Sequence, residues 1–295
     1  MTRFAPVLVL AALATPGMPV LAEEVSRRIE VDPAGQVEIS NVAGSVIVTG
    51  WNRPEVQVTG ELGDGVEKLE FTRQGELTRI RVVLPKVSHR GGSSDLEIRI
   101  PARSSLTIGA VSADIKVAGV EGVQRLQTVS GELVTSVGKE DVECKTVSGD
   151  LTVNGRGERG LLTLNTVSGD ATVTRVAGEI NANTVSGELR IEAVQAQRSR
   201  LRSTSGDLSL RAALAPGARI DAESISGNVE LLLQGETDAE FDVSSFNGDI
   251  DNCFGPKASR TDEYAPGREL RFRQGDGSSR VRIKTLNGDI RLCRP

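Results

Sequence analysis

The second half of the chain alternates apolar and polar residues with a period of two. In LNTVSGDATV, from Leu164, and in LRSTSGDLSL, from Leu201, apolar residues return mostly at every second position. This is the period of a β-strand, whose successive side chains point to opposite faces, and not the 3.6-residue period of a helix. The pattern predicts a series of short strands joined by turns.

The strands come in repeats that share a Ser-Gly-acid tripeptide or a close variant of it. The motif glycines are Gly131, Gly149, Gly169, Gly187, Gly206, Gly227, Gly248 and Gly288. Their successive separations are 18, 20, 18, 19, 21, 21 and 40 residues. A period of roughly 20 residues is typical of solenoids, in which similar repeats stack on one another. We predict an all-β fold, a single-stranded parallel β-solenoid (β-helix) of roughly 20-residue coils with an irregular N-terminal β cap.

Three apolar columns run through the repeats and are predicted to form the core. They lie five residues before each motif glycine, two residues before it and two residues after it. The first repeat supplies Leu126, Val129 and Leu133 to these columns. One repeat cannot bury its apolar face alone, but strands stacked at about 4.8 Å join the columns into one continuous core.

Each motif glycine is predicted to turn the chain at a corner of the coil, because glycine reaches conformations with positive φ. An acidic residue usually follows, and these corner acids are Glu132, Asp150, Asp170, Glu188, Asp207, Asp249 and Asp289, with Asn228 interrupting the series. Stacked carboxylates could bind Ca²⁺, but the Gly-Gly-x-Gly-x-Asp repeat of calcium-binding β-rolls is absent. We predict solvated corner acids and assign no metal ligands.

The pattern divides the chain into three parts. Residues 1–22 contain Arg3, an apolar run and a small-residue site ending at Ala22, which are the features of a secretory signal peptide. Residues 23–110 alternate less regularly and are predicted to be the irregular N-terminal β cap, with a separate small β-domain as the alternative. Residues 111–295 are the predicted regular solenoid, with a loop excursion at about 254–280. We expect an exported protein, either periplasmic, cell-surface or secreted, without a transmembrane segment in the mature chain.

Composition argues against several kinds of activity. The formal net charge of −5 gives no support to nucleic-acid binding. The chain has one His, one Trp and one Tyr, whereas polysaccharide lyases and glycosidases use clustered acids in a groove normally lined by aromatic residues. We predict no catalytic residues, no cofactor and no enzymatic activity. A polysaccharide-active β-helix enzyme is the alternative.

The motifs resemble those of a bacterial family of exported domains known as "putative adhesins". The resemblance rests on the repeated TVSGDL, on GWNRPEVQVTGEL from Gly50 and on IKTLNGDIRL from Ile283, and it extends over essentially the whole mature chain. It implies a non-catalytic adhesin-like surface protein or periplasmic scaffold that binds an unknown protein or envelope component. An envelope-stress signalling module is an alternative that the sequence leaves open.

The three cysteines are predicted to have two different roles. Cys144 belongs to the column five residues before the glycine and is expected to be a buried, unpaired apolar filler. Cys253 and Cys293 each lie five residues after a motif glycine, so neighbouring coils would place their Cα atoms about 5 Å apart, within disulfide range. Export favours this bond. If the interval before Gly288 held a complete extra coil, the separation would be about 10 Å and no bond could form.

Overall fold

One hydrogen-bonded sheet of 22 strands contains all the regular secondary structure that the computed structural model describes, in residues 23–85, 92–262 and 266–295. The described residues contain no helix, so the all-β prediction is confirmed. The signal peptide predicted at residues 1–22 lies outside the described residues.

The first nine strands occupy the N-terminal half of the sheet. They are β1 (Glu23–Glu30), β2 (Gln36–Trp51), β3 (Glu55–Leu62), β4 (Lys68–Gln74), β5 (Leu77–Val83), β6 (Ser94–Pro101), β7 (Ser105–Ala118), β8 (Gln124–Thr128) and β9 (Leu133–Val137). The others are β10 (Val142–Thr146), β11 (Leu151–Gly155), β12 (Arg159–Ser168), β13 (Ala171–Ser186), β14 (Leu189–Ser203), β15 (Leu208–Ser226), β16 (Val229–Gln234), β17 (Ala239–Asn247), β18 (Ile250–Asn252), β19 (Ser259–Arg260), β20 (Arg268–Gln274), β21 (Ser279–Asn287) and β22 (Ile290–Cys293).

Equivalent residues of successive repeats lie side by side in the middle of the sheet. Before the corner, Cys144 in β10 pairs in parallel with Leu126 in β8 and with Leu164 in β12. After the corner, β11 pairs in the same way with β9 and β13, and Leu151 lies between Leu133 and Ala171. The sequence period is therefore also the register offset between hydrogen-bonded strands.

Two of the three predicted apolar columns form the core. The positions five residues before and two residues after the motif glycine are buried, as Leu126 and Leu133 illustrate, except that Ile250 in the outermost repeat is partly buried. Cys144 is buried in the first of these columns as a free thiol, and burial raises its pKa to about 12 because a thiolate would be desolvated there. A hydroxyl column three residues before the glycine is also buried, and consists of Thr128, Thr146, Thr166, Thr184, Ser203, Ser224, Ser245 and Thr285.

The third predicted column is not part of the core, and the prediction for it was wrong. Val129, two residues before Gly131, is exposed to solvent, and so are its equivalents in the other repeats. Positions five and two residues before the glycine differ by an odd number of residues, and alternate side chains of a strand point to opposite faces. Burying the first column therefore turns the second one outward.

The last two repeats are stacked in the reverse of their chain order. Ile283 in β21 pairs with Ala222 in β15 on one side and with Val243 in β17 on the other. Likewise, β22 lies between β16 and β18. The Gly248 and Gly288 repeats are thus neighbours, as a simple insertion predicts, but the repeat later in the chain takes the inner position. Neither alternative for the 40-residue interval anticipated this order.

A similar inversion is found at the N-terminal end of the stack. Gly44 in β2 pairs with Ala113 in β7 and with Ser94 in β6, so the earliest of these repeats lies between two later ones. Antiparallel strands then close both ends of the sheet. At the N-terminal end β4 pairs with β5, β3 with β6, and β1 with β3; at the C-terminal end β20 pairs with β17, and β19 with β20.

Three phenylalanines pack under the C-terminal end. The ring centroid of Phe241 lies 4.5 Å from that of Phe272 and 5.8 Å from that of Phe254, both in stacked orientation. Phe241 is buried in β17, whereas Phe254 and Phe272 belong to the segment that leads from β18 to β21. This segment thus covers the end of the apolar core. The chain then continues into β21, which lies between β15 and β17.

Candidate functional site

In two of the repeats, a hydroxyl of the buried column binds the amide of the motif glycine at the corner. The Oγ1 atom of Thr146 accepts a hydrogen bond from the Gly149 amide at 3.0 Å, and the Oγ atom of Ser203 accepts one from the Gly206 amide at 2.7 Å. Because the hydroxyl points inward and is tied to the glycine, the residue between them, such as Val147, is directed to the solvent. The corner motif therefore displays an apolar side chain in each repeat except that of Gly206, where Thr204 occupies the position.

The motif glycines are required mainly because adjacent repeats come very close at the corner. A Cβ atom on Gly149 would lie 1.9 Å from the carbonyl oxygen of Gly131, and one on Gly169 would lie 2.4 Å from that of Gly149. Gly131 has a φ of +128°, as predicted from the motif, but Gly149 is outside the positive region. Close approach of backbones, rather than positive φ, is the common reason for glycine.

The corner acids bond to the backbone of the neighbouring repeat. Each bond joins a side-chain Oδ1 atom to the amide of the next residue in the same column, at 2.8 to 3.1 Å. The acceptor and donor pairs are Asp114 with Glu132, Asp150 with Asp170, Asp170 with Glu188, Asp207 with Asn228, Asn228 with Asp289, and Asp289 with Asp249. Since Asn228 makes the same bond, the bond needs a short side chain with an oxygen rather than a negative charge.

The corner acids are not arranged as a metal site. Among the described residues, no three of them bring carboxylate oxygens within 4.8 Å of one another. The group that does meet this distance is Asp251, Cys253 and Cys293, but the two sulfur atoms are bonded to each other and offer no thiolates. The geometry of the column is accounted for by its hydrogen bonds to the backbone.

Substitution of one corner acid distinguishes hydrogen bonding from charge. We expect Asp150→Ala to lower the free energy of unfolding by about 1 kcal/mol, because the Asp170 amide loses its acceptor. Asp150→Asn should remain close to the wild type, since an amide oxygen can replace the carboxylate, as it does at Asn228. Urea denaturation of both variants measures the difference. Equal destabilisation by alanine and asparagine would contradict this interpretation.

The exposed side chains of the repeats form a continuous apolar stripe. In stacking order, the apolar stripe consists of Val42, Val111, Val129, Val147, Val167, Val185, Thr204, Ile225, Leu286 and Phe246. Eight of these ten side chains are large hydrophobic groups that are 43% to 53% exposed. With about 4.8 Å between neighbouring strands, ten rows extend over about 43 Å. Only two other large hydrophobic side chains, Ile47 and Val194, are similarly exposed among the described residues.

Two shallow depressions lie along the apolar stripe. The first, of about 520 Å³, contains Val111, Val129, Val147 and Val167. The second, of about 760 Å³, contains Val185, Ile225, Leu286 and Phe246 and is bordered by Thr261 and Gly267 of the excursion. The stripe is therefore a groove-like surface whose C-terminal half carries the larger apolar side chains.

Different polar residues border the two sides of the apolar stripe. The corner acids lie on one side. The other side, which we call the flank column, consists of the residues two positions before each stripe residue: Ser40, Gly109, Gln127, Lys145, Asn165, Asn183, Arg202, Glu223, Lys284 and Ser244. One border is thus mainly acidic, whereas the other is mainly neutral or basic.

An arginine-rich cleft lies on the outward face near the C-terminal end. It has a volume of about 770 Å³, and its charged lining includes Arg219, Arg273, Asp221, Glu240 and Asp242. Arg271 and Arg282 both form ion pairs with Asp242, at 3.3 and 3.6 Å, and Arg280 pairs with Glu240 at 3.8 Å. These carboxylates are held by guanidinium groups, which is unlike the pair of acids that glycoside hydrolysis requires.

The two cysteines predicted to pair form a disulfide in the structure. The Cα atoms of Cys253 and Cys293 are 4.8 Å apart, and the Cys253 amide donates a hydrogen bond to the Leu292 carbonyl at 2.9 Å. The bond joins the Gly248 repeat to the Gly288 repeat. It links neighbouring repeats whichever of the two takes the inner position, which is why the motif register alone could predict it.

The fold and the stripe define an all-β repeat protein with an extended exposed surface, and comparison with known families agrees. The profile of the family described as Toastrack DUF4097 matches residues 57–293. The chain therefore belongs to the Toastrack DUF4097 family, and the resemblance noted in the sequence is confirmed. A search of curated proteins finds no match. The part of the chain that the structure describes has no helix of the length and apolarity needed to cross a membrane.

Several solved bacterial structures are similar to this chain over most of their length. A putative cell adhesion protein from Clostridium sporogenes is 8% identical, with a TM-score of 0.26 over 92% of this chain and 100% of that one. A putative adhesin from Bacteroides fragilis is 10% identical, with a TM-score of 0.31 over 92% and 97%. A putative lipid binding protein from Parabacteroides distasonis is 11% identical, with a TM-score of 0.34 over 91% and 96%.

Proposed function

We propose that this protein is a non-catalytic, exported, adhesin-like scaffold whose recognition surface is the apolar stripe. The observation that carries the proposal is the row of eight large hydrophobic side chains exposed at the same corner of successive repeats. Soluble monomers rarely expose contiguous apolar patches of more than a few hundred Å², and larger patches usually mark binding surfaces. The surface extends along the whole stack, so it suits an extended or large partner.

The repeat architecture supports this scaffold role. We propose that the stack is a single-stranded parallel β-solenoid, because equivalent residues of successive repeats pair in parallel register. Residues 23–110 would then be its irregular cap, since antiparallel β1, β3 and β4 close that end. A stack of this kind presents the same side chain once per repeat, which favours a broad surface over a single catalytic site.

Export is supported by the cysteines. Disulfides form and persist in oxidising compartments and are rare where thiols are kept reduced. The Cys253–Cys293 bond therefore agrees with the signal peptide predicted at residues 1–22. The proposed location is the periplasm or the cell surface, and the proposed partner is a protein or envelope component.

The charges also favour a non-catalytic role. In the arginine-rich cleft, Glu240 and Asp242 are ion-paired, and the corner acids are hydrogen-bonded to the backbone. Catalysis by two carboxylates needs one group free to attack or deprotonate and another placed to donate a proton. These carboxylates are engaged in structural contacts instead.

A complementation experiment tests the proposed function. A deletion strain would be complemented with the wild type, with the stripe variant Val147→Glu/Val167→Glu, or with the control Val194→Glu. We expect the stripe variant to lose at least tenfold in cell attachment or envelope retention, because two charges are placed on an apolar binding surface. Val194 is equally exposed but lies off the stripe, so its substitution should leave attachment unchanged.

Protein levels and far-ultraviolet circular dichroism of the exported variants serve as the folding control. The substituted side chains are already exposed, so both variants should fold like the wild type. Attachment that is unchanged in a correctly folded stripe variant would refute the proposed function.

A further inference from the structure

We infer that the apolar stripe binds the stripe of a second copy of this chain, in a two-fold dimer whose chains run in the same direction. This inference rests on the proposed function, because it names the partner of the same surface. It is argued from the size of the surface, from the two polar borders and from the row-by-row match between them.

The size of the surface fits a stable dimer. The stripe is about 43 Å long, and five residues separate the flank column from the corner acids, which is a width of at most about 16 Å because the chain turns at the corner. The product is at most roughly 700 Å² on each chain, somewhat below the roughly 800 Å² per partner of a standard protein interface. An apolar centre with polar borders is also the usual anatomy of such interfaces.

The borders select one of the two possible two-fold arrangements. If the axis lies across the stripe, the chains are antiparallel and each column of corner acids faces the same column of its partner. If the axis runs along the stripe, the chains are parallel and the corner acids of each face the flank column of the other. The first arrangement brings like charges together, which costs free energy, whereas the second brings unlike borders together.

The two unlike borders also face each other residue by residue. A flank residue and the corner acid of the same repeat are five positions apart, so both lie in the same row of the stack. In the parallel dimer Lys145 would face the partner's Asp150, Arg202 the partner's Asp207, and Lys284 the partner's Asp289. The flank column has one acid, Glu223, and its repeat is the one whose corner position holds Asn228. No row of the parallel dimer would oppose two acids.

The structure leaves these cations accessible to a partner. Arg202 pairs with Glu223 of the next row at 3.4 Å, yet its side chain remains 56% exposed. Lys145 forms an ion pair with Glu143 on the same strand, and its side chain is 44% exposed. Exposed ion pairs of this kind contribute little to stability, so they can be extended across an interface.

Sedimentation velocity of the purified mature chain tests the inference first. We expect the wild type and Val194→Glu to sediment as dimers at micromolar concentration, and Val147→Glu/Val167→Glu to sediment as a monomer. Lys145→Glu/Arg202→Glu/Lys284→Glu should weaken dimerisation by at least tenfold at low salt, because acids would then face acids. A wild type that remains monomeric at 100 µM, roughly a hundredfold above the expected range of dissociation constants, would overturn the inference.

Site-specific cross-linking tests the direction of the chains and does not depend on the charged variants folding. Cys144 is buried with a raised pKa, and the other cysteines are disulfide-bonded, so Val147→Cys introduces a single reactive thiol. A short bismaleimide should link two copies of Val147→Cys but not of Val194→Cys. If Val147→Cys does not cross-link, and Val147→Cys/Thr204→Cys does, the dimer is antiparallel and the inference is wrong.

The outcomes separate this inference from the proposed function. A monomeric wild type together with loss of attachment in the stripe variant would retain the scaffold role and reject the second copy as the partner. A parallel dimer whose disruption leaves attachment unchanged would support the inference and reject the role of the stripe in adhesion.

Discussion

Leu151→Asp is expected to unfold the repeats around it. Leu151 is 1% exposed and lies between Leu133 and Ala171 in the buried column after the corner. A carboxylate at this position would be desolvated without a partner, which places the substitution among the most destabilising kinds, at about 4 kcal/mol or more. Since domains are stable by only about 5–15 kcal/mol, most of the native state could be lost.

Urea denaturation and amide hydrogen exchange measure this effect, and Val167→Asp is the matched control. It makes the same kind of change in the apolar stripe, where the side chain is exposed, and, at protein concentrations too low for dimerisation, should alter the free energy of unfolding by no more than about 0.5 kcal/mol. Comparable destabilisation by the two substitutions would mean that the stripe belongs to the core, and would contradict the structure.

Removal of the disulfide is expected to have the second largest effect. Cys253 and Cys293 are separated by 40 residues, and loop-closure entropy for a loop of that length corresponds to about 4 kcal/mol. Cys253→Ala/Cys293→Ala should therefore lower the free energy of unfolding by about that amount. Non-reducing peptide mapping of the exported protein checks that the bond is present in the wild type.

Reducing agent provides the control for the disulfide. It should destabilise the wild type to the level of the double variant and should leave the double variant unchanged, because its remaining cysteine, Cys144, is already free. A wild type that contains free thiols at both positions, or that is insensitive to reduction, would contradict the prediction.

The sequence period predicted the class of fold because residues one period apart are paired in neighbouring parallel strands. Residues 18 and 20 positions apart, such as Leu126, Cys144 and Leu164, become direct neighbours in parallel strands. The disulfide followed from the same reasoning, since Cys253 and Cys293 share a position relative to their motif glycines. Both inferences use only the position of a residue within its repeat.

The apolar stripe was wrongly predicted to be buried because its residues were judged by their hydrophobicity alone. Whether they lie an even or an odd number of positions from a core residue was not considered. Val129 is as apolar as a core residue, but it is three residues from Leu126 and so points to the opposite face. Thr128, which is two residues from Leu126, is the buried neighbour, and its hydroxyl made it resemble a surface residue. The repeated apolar residue at an outward position was the signal for a binding surface.

The order of the terminal repeats could not be predicted from the motif. Gly227, Gly248 and Gly288 have nearly the same surroundings in the sequence, so their columns fit together in more than one order. What distinguishes the orders is contact between distant segments. Phe254 and Phe272, both in the excursion, pack with Phe241 and cover the Gly248 repeat as the outer one.

The inverted order at the C-terminal end has a consequence for biosynthesis. A chain is made and exported from its N-terminus, so residues 239–252 emerge before residues 279–293, yet they pair with β21 and β22 rather than with β15 and β16. The edge of the earlier segment that faces the stack must wait for its partner until the later one arrives, although β17 can already pair with β20. If it docked first on β15 and β16, it would occupy the place of its successor, and correct assembly would require it to dissociate. The final two repeats therefore complete their pairing together, after residues 279–293 have been made.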